Sequence, residues 1–169
     1  MDTAEKEATA LLRTLRFEGT SVPIDPILIA KRLGIIVVEA ELRSDISAEI
    51  RKDVGGDPRI YLNISDSRTR KRFSCAHELG HYIQHIRSET DPDGMFSWVD
   101  KRGPLAATGS DPKEIFANQF AAALLMPKDE IDSRITADSV ALVADLAAVF
   151  GVSLEAMKYR LINLGYATT

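Results

Sequence analysis

Apolar positions recur with a helical period near the start of the chain. Residues 3–17 place alanine and leucine side chains on one face, which predicts an amphipathic helix. A second helix is predicted after Asp25, because this residue type caps helices and Pro26 occupies the first helical position. Gly34 follows the last apolar position and marks the end of that helix.

Three short segments with alternating or β-branched residues come next. The segments 35–40 (IIVVEA), 46–53 (ISAEIRKD) and 59–64 (RIYLNI) predict strands. Gly55 and Gly56 provide a turn between the second and the third segment. We therefore expect a small, mostly antiparallel three-stranded sheet.

Helices are predicted for most of the remaining chain. One runs from about Asp66 to residue 87, and another begins at Asp111 and Pro112 and ends at Pro127. Residues 88–110, which separate these helices, are rich in glycine, proline, serine and aspartate and predict a long loop. A loop of this length in a compact domain is usually functional or mobile.

The order of these elements predicts an α+β fold, with a small sheet early in the chain and helices packed on it. Residues 138–166 predict two short helices joined near Gly151. Within them, residues 142–161 resemble a helix-turn-helix, because small residues stand where its tight turn needs them. We expect a first domain over residues 1–135 and a C-terminal helical hairpin over 136–169 that packs on it.

Composition and charge narrow the classes of function. The 169 residues are 45% hydrophobic and 27% charged, as in globular proteins. A net charge of −4 argues against a phosphate backbone as the main partner. The first residues lack a basic region followed by an apolar stretch, and no apolar run approaches the ~20 residues of a membrane span. We expect a cytoplasmic protein without a membrane partner, and the single Cys75 excludes an internal disulfide.

The strongest chemical signal is the H-E-x-x-H sequence of residues 77–81. Two histidines four residues apart on a helix lie on the same face, so the imidazoles of His77 and His81 can bind one metal ion. Glu78 is rotated by about 100° from His77 and lies beside the metal without being a ligand. There it can act as a general base on a water molecule that the metal activates.

A catalytic zinc ion needs three protein ligands and one open position. His85 lies eight residues after His77, about 12 Å along a straight helix, which is too far for a shared ion. For His85 we expect a structural or hydrogen-bonding role. Glu114, at the polar start of the next long helix, is a better candidate for the third ligand. The alternatives that stay open at this point are Asp91, Asp93, Asp100 and Asp111.

Two longer motifs are specific enough to indicate a family. Residues 72–81 (RFSCAHELGH) are close to the pattern R-F-T-x-A-H-E-L-G-H. Residues 114–127 (EIFANQFAAALLMP) are close to E-x-x-A-N-x-F-A followed by L-L-M-P. Both patterns, in this order, resemble the ImmA/IrrE family of bacterial and phage metallopeptidases, and the resemblance covers about residues 20–130. Cys75 stands where the family usually has threonine or an apolar residue.

The resemblance implies a zinc-dependent endopeptidase in which His77, His81 and Glu114 bind the metal and Glu78 is catalytic. Manganese fits the same two-histidine, one-carboxylate set. The family also implies a protein substrate, namely a helix-turn-helix transcriptional repressor whose cleavage relieves repression in a stress response or in mobile-element control.

Two other functions compete with this interpretation. The helix-turn-helix-like tail is typical of a DNA-binding regulator, and Lys158 and Arg160 are its candidate cations, opposed by Glu155. Because these cations are few, direct DNA contact is less favoured than packing or protein recognition. A second alternative is a regulator that sequesters a repressor without proteolysis.

Arg72 belongs to a basic cluster that predicts a solvated helix face or a contact with substrate.

Overall fold

The computed structural model describes residues 3–15, 22–88, 96–101, 111–135 and 143–166. These residues form seven helices and four strands, which confirms the α+β class. The helices are α1 (Thr3–Thr14), α2 (Pro26–Arg32), α3 (Arg68–Ser88), α4 (Pro112–Leu125), α5 (Lys128–Asp132), α6 (Val143–Phe150) and α7 (Leu154–Asn163). The strands are β1 (Ile36–Ala40), β2 (Ile46–Lys52), β3 (Arg59–Asn63) and β4 (Phe96–Lys101). None of the helices in the described part has the length and apolar character that a membrane crossing requires.

The sheet is mixed and four-stranded, with the order β1-β3-β2-β4. β2 pairs antiparallel with both β3 and β4, whereas β1 pairs parallel with β3. The three predicted strands are present as β1, β2 and β3. The prediction of a mostly antiparallel three-stranded sheet was wrong, because the sheet has a fourth strand and is mixed. An alternating pattern identifies a strand and its buried face. It does not show which strands pair or whether they run parallel, because that depends on how the chain connects them.

β4 lies inside the segment that the sequence predicts as a loop. Its register with β2 runs from Phe96 opposite Lys52 to Lys101 opposite Ile46, with an irregularity between Ile46 and Ala48. β4 is an edge strand, so hydrogen bonds to a single neighbour define it and no strongly alternating pattern is needed. This explains why the loop prediction for residues 88–110 failed over 96–101.

The predicted helix starts are confirmed at α2 and α4. The side chain of Asp25 accepts a hydrogen bond from the backbone N–H of Ile27 at 2.9 Å. Asp111 accepts from the N–H of Lys113 at 2.9 Å. In both helices proline follows the cap, where its missing N–H is not needed. The cap at Asp111 fixes which residues form the first turn of α4, and that turn contains Glu114.

The core lies between the sheet and helix α3, and it continues on the other side of α3 between α3, α4 and α1. Its largest fully buried side chains include Ile50, Ile60, Leu62, Leu79, Phe120 and Leu124. Helices α3 and α4 approach each other closely at Gly80: a Cβ added there would lie 2.9 Å from the Cα of Ala117. Two small residues at the crossing therefore let the helix backbones come within a distance that larger side chains would prevent.

Helices α6 and α7 lie where the sequence predicts two short C-terminal helices, and this pair is called the hairpin below. Two buried arginines attach it to the rest of the protein. Arg72 of α3 donates to the carbonyl oxygens of Gly151 at 2.9 Å and of Phe150 at 3.3 Å, in the turn between α6 and α7. Arg160 of α7 donates from both terminal nitrogens to the carboxylate of Glu5, each at 2.7 Å. The hairpin thus packs on the first part of the chain. Its helix-turn-helix character and the domain boundary near residue 135 stay predictions.

Candidate metal centre

His77 and His81 lie one turn apart on α3 and both are buried, with 2% and 1% of their surface exposed. Polar side chains are rarely buried to this extent unless a partner satisfies them. The Nε2 atoms of the two imidazoles are 3.0 Å apart, so both rings point to one place. The geometry that the H-E-x-x-H spacing predicts is therefore present.

Glu114 reaches the same place from α4. Its carboxylate oxygen Oε2 lies 3.3 Å from Nε2 of His77, and Oε1 lies 3.2 Å from Nε2 of His81. Hydrogen bonding to His77 and then to His81 lowers the pKa of the Glu114 carboxyl well below its usual range. Glu114 is therefore ionised at neutral pH. Its side chain keeps 32% of its surface exposed, so the centre is open on the side of this residue.

The three side chains form a set that can hold a metal ion. Zinc bound tetrahedrally at about 2.0–2.2 Å separates its ligand atoms by roughly 3.3–3.6 Å. The separations of 3.0, 3.2 and 3.3 Å between the nitrogen and oxygen atoms of this set are close to those values. Two imidazoles and one carboxylate are also ligand types that zinc prefers. The residues present therefore fit a zinc ion.

Asn118 orients the first of these imidazoles. Its Oδ1 lies 3.0 Å from Nδ1 of His77. An amide oxygen only accepts hydrogen bonds, so Nδ1 carries a proton. In the neutral ring Nε2 then has a lone pair that points toward Glu114, and it can donate to that carboxylate only if the ring is charged. A bound cation would remove the need for a charged ring, because the lone pair of Nε2 and the carboxylate of Glu114 would both bind the cation.

The other candidates for the third ligand are less well placed or lie outside the described residues. Asp111 caps α4 and is exposed. Asp91 and Asp93 lie outside the described residues, as do the side chains of Asp100 and His85. Of the five acidic candidates, the structure brings Glu114 to the two histidines.

Glu78 follows His77 on α3 and is fully buried. It is not part of the group of side chains that can hold a metal ion. Its role as the general base beside that group stays a prediction. A buried carboxylate next to a cation site is suited to proton transfer, because burial favours its neutral form and the cation favours its charged form.

The sequence of the chain matches a known protein family. The profile of Peptidase_M78, described as the IrrE N-terminal-like domain, matches residues 30–162, which is more than three quarters of the chain. The chain belongs to this family. The ImmA/IrrE resemblance of the two motifs is thereby confirmed, and the family is one of metallopeptidases. No curated protein matches the chain in sequence.

A solved structure supports the fold of this Peptidase_M78 member. It is described as a Mycobacterium tuberculosis transcriptional regulator, and it matches with a TM-score of 0.59 and 17% sequence identity. The match covers 94% of this chain and 46% of the regulator, so the chain spans about half the length of that protein. At this identity the likeness concerns the fold.

The candidate metal centre of the Peptidase_M78 domain opens into a cavity of about 730 Å³. His77, Glu114 and Asn118 line one end of it. From there the cavity extends between the start of α3, helix α4 and helix α7, and it reaches Tyr159 and Asn163. Sequence patterns did not predict this cavity, because its walls come from segments that are far apart in the chain.

Arg72 and Arg160 have roles that differ from the simplest interpretation of the sequence. Arg72 is 8% exposed and bound to backbone carbonyls, so the prediction of a solvated or substrate-binding residue was wrong. Arg160, a candidate DNA contact, is 6% exposed and paired with Glu5. Cys75 is buried, and burial raises the pKa of its thiol, which keeps it protonated and unreactive. Asn118 is the functional residue that sequence reasoning missed, although it stands in the second motif.

Proposed function

We propose that this Peptidase_M78 member is a zinc-dependent endopeptidase that uses His77, His81 and Glu114 as metal ligands and Glu78 as general base. The observation that supports this most strongly is the convergence of two buried imidazoles and one ionised carboxylate within 3.3 Å of one another. A metal centre needs several ligand atoms directed at one point, and these three side chains supply two imidazole nitrogens and a carboxylate.

Zinc, when bound, would polarise a peptide carbonyl and lower the pKa of a water molecule to about 7. The chain supplies the remaining functions. Asn118 fixes the tautomer and the ring orientation of His77. A carboxylate oxygen of Glu78 takes the proton of the attacking water and returns it to the nitrogen of the departing amine. Burial of both histidines keeps bulk water from competing for their nitrogens.

The proposed substrate is a helix-turn-helix transcriptional repressor, cut in the cytoplasm so that the genes it silences are expressed. This part of the proposal rests on the ImmA/IrrE family and extends to a stress response or mobile-element control. Manganese is the alternative metal, because the same ligand types bind it. A pure DNA-binding role receives less support, because Arg160 is buried in an ion pair instead of facing solvent.

Calorimetric titration of zinc into metal-stripped protein tests the ligand set. We expect one equivalent to bind to the wild type, and Glu114→Ala to weaken binding by more than the about 10–100-fold that loss of a supporting residue causes. Asp129→Ala is the matched control, because it removes an exposed carboxylate from the first turn of another helix. Equal binding by wild type and Glu114→Ala would exclude the proposed ligand set.

Glu78→Gln tests the catalytic role separately from metal binding. The amide keeps the size of the side chain but cannot accept the proton. We expect zinc binding to persist and cleavage of a bacterial proteome-derived peptide library, read by mass spectrometry, to disappear. If Glu78→Gln still relieves repression in cells, the repressor-sequestering alternative replaces proteolysis as the function.

A further inference from the structure

We propose that the cavity beside the metal centre is a substrate subsite for an apolar side chain, and that helix α7 of the C-terminal hairpin forms one of its walls. This assigns the hairpin a part in peptide recognition. The inference rests on the proposed peptidase function, since a peptide must first lie across the metal centre to reach the subsite.

The position of the cavity identifies its occupant. One end is lined by His77, Glu114 and Asn118, so any peptide whose carbonyl lies at the proposed metal has its neighbouring residues at the cavity mouth. The volume of about 730 Å³ is within the roughly 300–1,000 Å³ of sites for small ligands. That space accommodates a few amino-acid residues rather than a folded domain.

The chemistry of the walls favours an apolar side chain. Apolar side chains contributed by α3, α4 and the hairpin line the cavity: Phe73, Ala122, Met126, Val152 and Ala156. Polar side chains are more numerous in the lining, among them Arg70, Gln119, Glu155 and Asn163, but the lining presents more apolar than polar surface to the cavity. A mainly apolar surface that also carries polar groups is usual for a specific binding pocket. A leucine or phenylalanine side chain of the substrate would lose water on entering it, which favours binding.

The wall that α7 provides is held in place on both sides. Arg72 binds the turn before α7 through the carbonyl oxygens of Phe150 and Gly151. Arg160 binds Glu5 with two hydrogen bonds and donates to the carbonyl oxygen of Met126 at 3.0 Å. A wall fixed by buried, charge-assisted bonds is already formed before substrate arrives, so less ordering is needed on binding.

Two kinds of hydroxamate probe separate the metal centre from the subsite. Acetohydroxamic acid binds a zinc ion and carries no side chain, whereas leucyl and phenylalanyl dipeptide hydroxamates, made in both chain directions, place an apolar side chain beside the metal. Affinities are measured on the zinc-loaded full chain. We expect at least one dipeptide probe to bind about tenfold more tightly than acetohydroxamic acid, because it buries a leucine-sized side chain.

Ala156→Leu extends a side chain into the cavity from α7 and should remove most of that tenfold gain without changing the affinity for acetohydroxamic acid. Lys158→Leu is the matched control, because Lys158 is exposed on the same helix and does not line the cavity. Tyr159→Ala, which opens the cavity at its far end, is the second variant if Ala156→Leu does not fold, as judged by circular dichroism. Tyr159 is 61% exposed, so its removal leaves the core intact.

The outcomes distinguish the two proposals. If acetohydroxamic acid binds and the dipeptide probes bind no better, or if Ala156→Leu and Tyr159→Ala leave their gain unchanged, the subsite is refuted and the metal centre stands. If acetohydroxamic acid does not bind the zinc-treated protein, the proposed metal centre fails and the subsite fails with it.

Discussion

Gly80→Ala tests whether the close approach of α3 and α4 is what assembles the metal centre. The added Cβ would lie 2.9 Å from the Cα, 3.2 Å from the carbonyl oxygen and 3.3 Å from the Cβ of Ala117. Carbon atoms in contact prefer about 3.5–4.0 Å, so the two backbones must separate by roughly 0.6–1.1 Å. His81 is the next residue on α3, and Glu114 is one turn before Ala117 on α4. The separation therefore acts directly on the 3.2 Å between their ligand atoms.

The expected effects on stability and on metal binding differ in size. Overpacking costs about 1–3 kcal/mol, and the better helix propensity of alanine offsets about 1 kcal/mol. The free energy of unfolding of metal-free protein should fall by about 0–2 kcal/mol, measured in urea. Metal–ligand distances tolerate only about 0.2 Å, so zinc affinity should fall at least about 10- to 100-fold by calorimetry.

Two further variants make this prediction specific. Ala117→Gly in the Gly80→Ala background removes only the contact at 3.3 Å and leaves both backbone contacts, so it should restore little zinc affinity. Gly56→Ala, where the nearest atom is the carbonyl oxygen of Asp53 at 3.4 Å, should leave zinc affinity unchanged. Zinc binding of wild-type strength by well-folded Gly80→Ala would refute the argument that the close crossing positions the ligands.

Three other predictions follow from contacts around the centre. Asn118→Ala should lower zinc affinity about 10- to 100-fold, because the ring of His77 loses its hydrogen bond. Competition with a chelating dye measures this affinity, and an unchanged affinity would contradict the prediction. Arg160→Met should lower the free energy of unfolding, by at most about 3–5 kcal/mol in urea, because the partly buried Glu5, with 13% of its side chain exposed, is left without its charge partner. Adding Glu5→Leu should recover part of that loss. Cys75 should react with iodoacetamide slowly in native protein and quickly in urea, and rapid labelling of the native state would show that its thiol is accessible.

The parts of the centre that could be predicted are those with a local cause. His77 and His81 meet because they are four residues apart on one helix, and a helix start at Asp111 and Pro112 follows from capping alone. Local rules could not identify Glu114 as the third ligand, because four aspartates were also candidates for that position. The family motif selected it, and the physical cause is the crossing of α3 and α4 at Gly80, which no local pattern contains.

The parts that could not be predicted depend on contacts between distant segments. β4 is a strand because it forms hydrogen bonds with β2. β1 lies parallel to β3 because β2, which comes between them in the chain, pairs on the other side of β3. The cavity has the same origin, since its walls are far apart in sequence. Asn118 stands in the second motif, but no rule for helices gives an asparagine there a role, and its contact became clear only in the structure, which places it 3.0 Å from His77.

The two buried arginines change how the C-terminal hairpin is understood. The sequence alone places two cations, Lys158 and Arg160, on a helix that resembles a DNA-recognition helix. Arg72 belongs to a separate basic cluster. In the structure Arg72 and Arg160 are both committed to internal partners, so within α7 Lys158 is the cation that remains exposed. A recognition helix needs several donors for phosphates and base edges, and one exposed lysine does not provide them. The same arginines hold α7 against the cavity that opens from the metal centre, which favours contact with a peptide over contact with DNA.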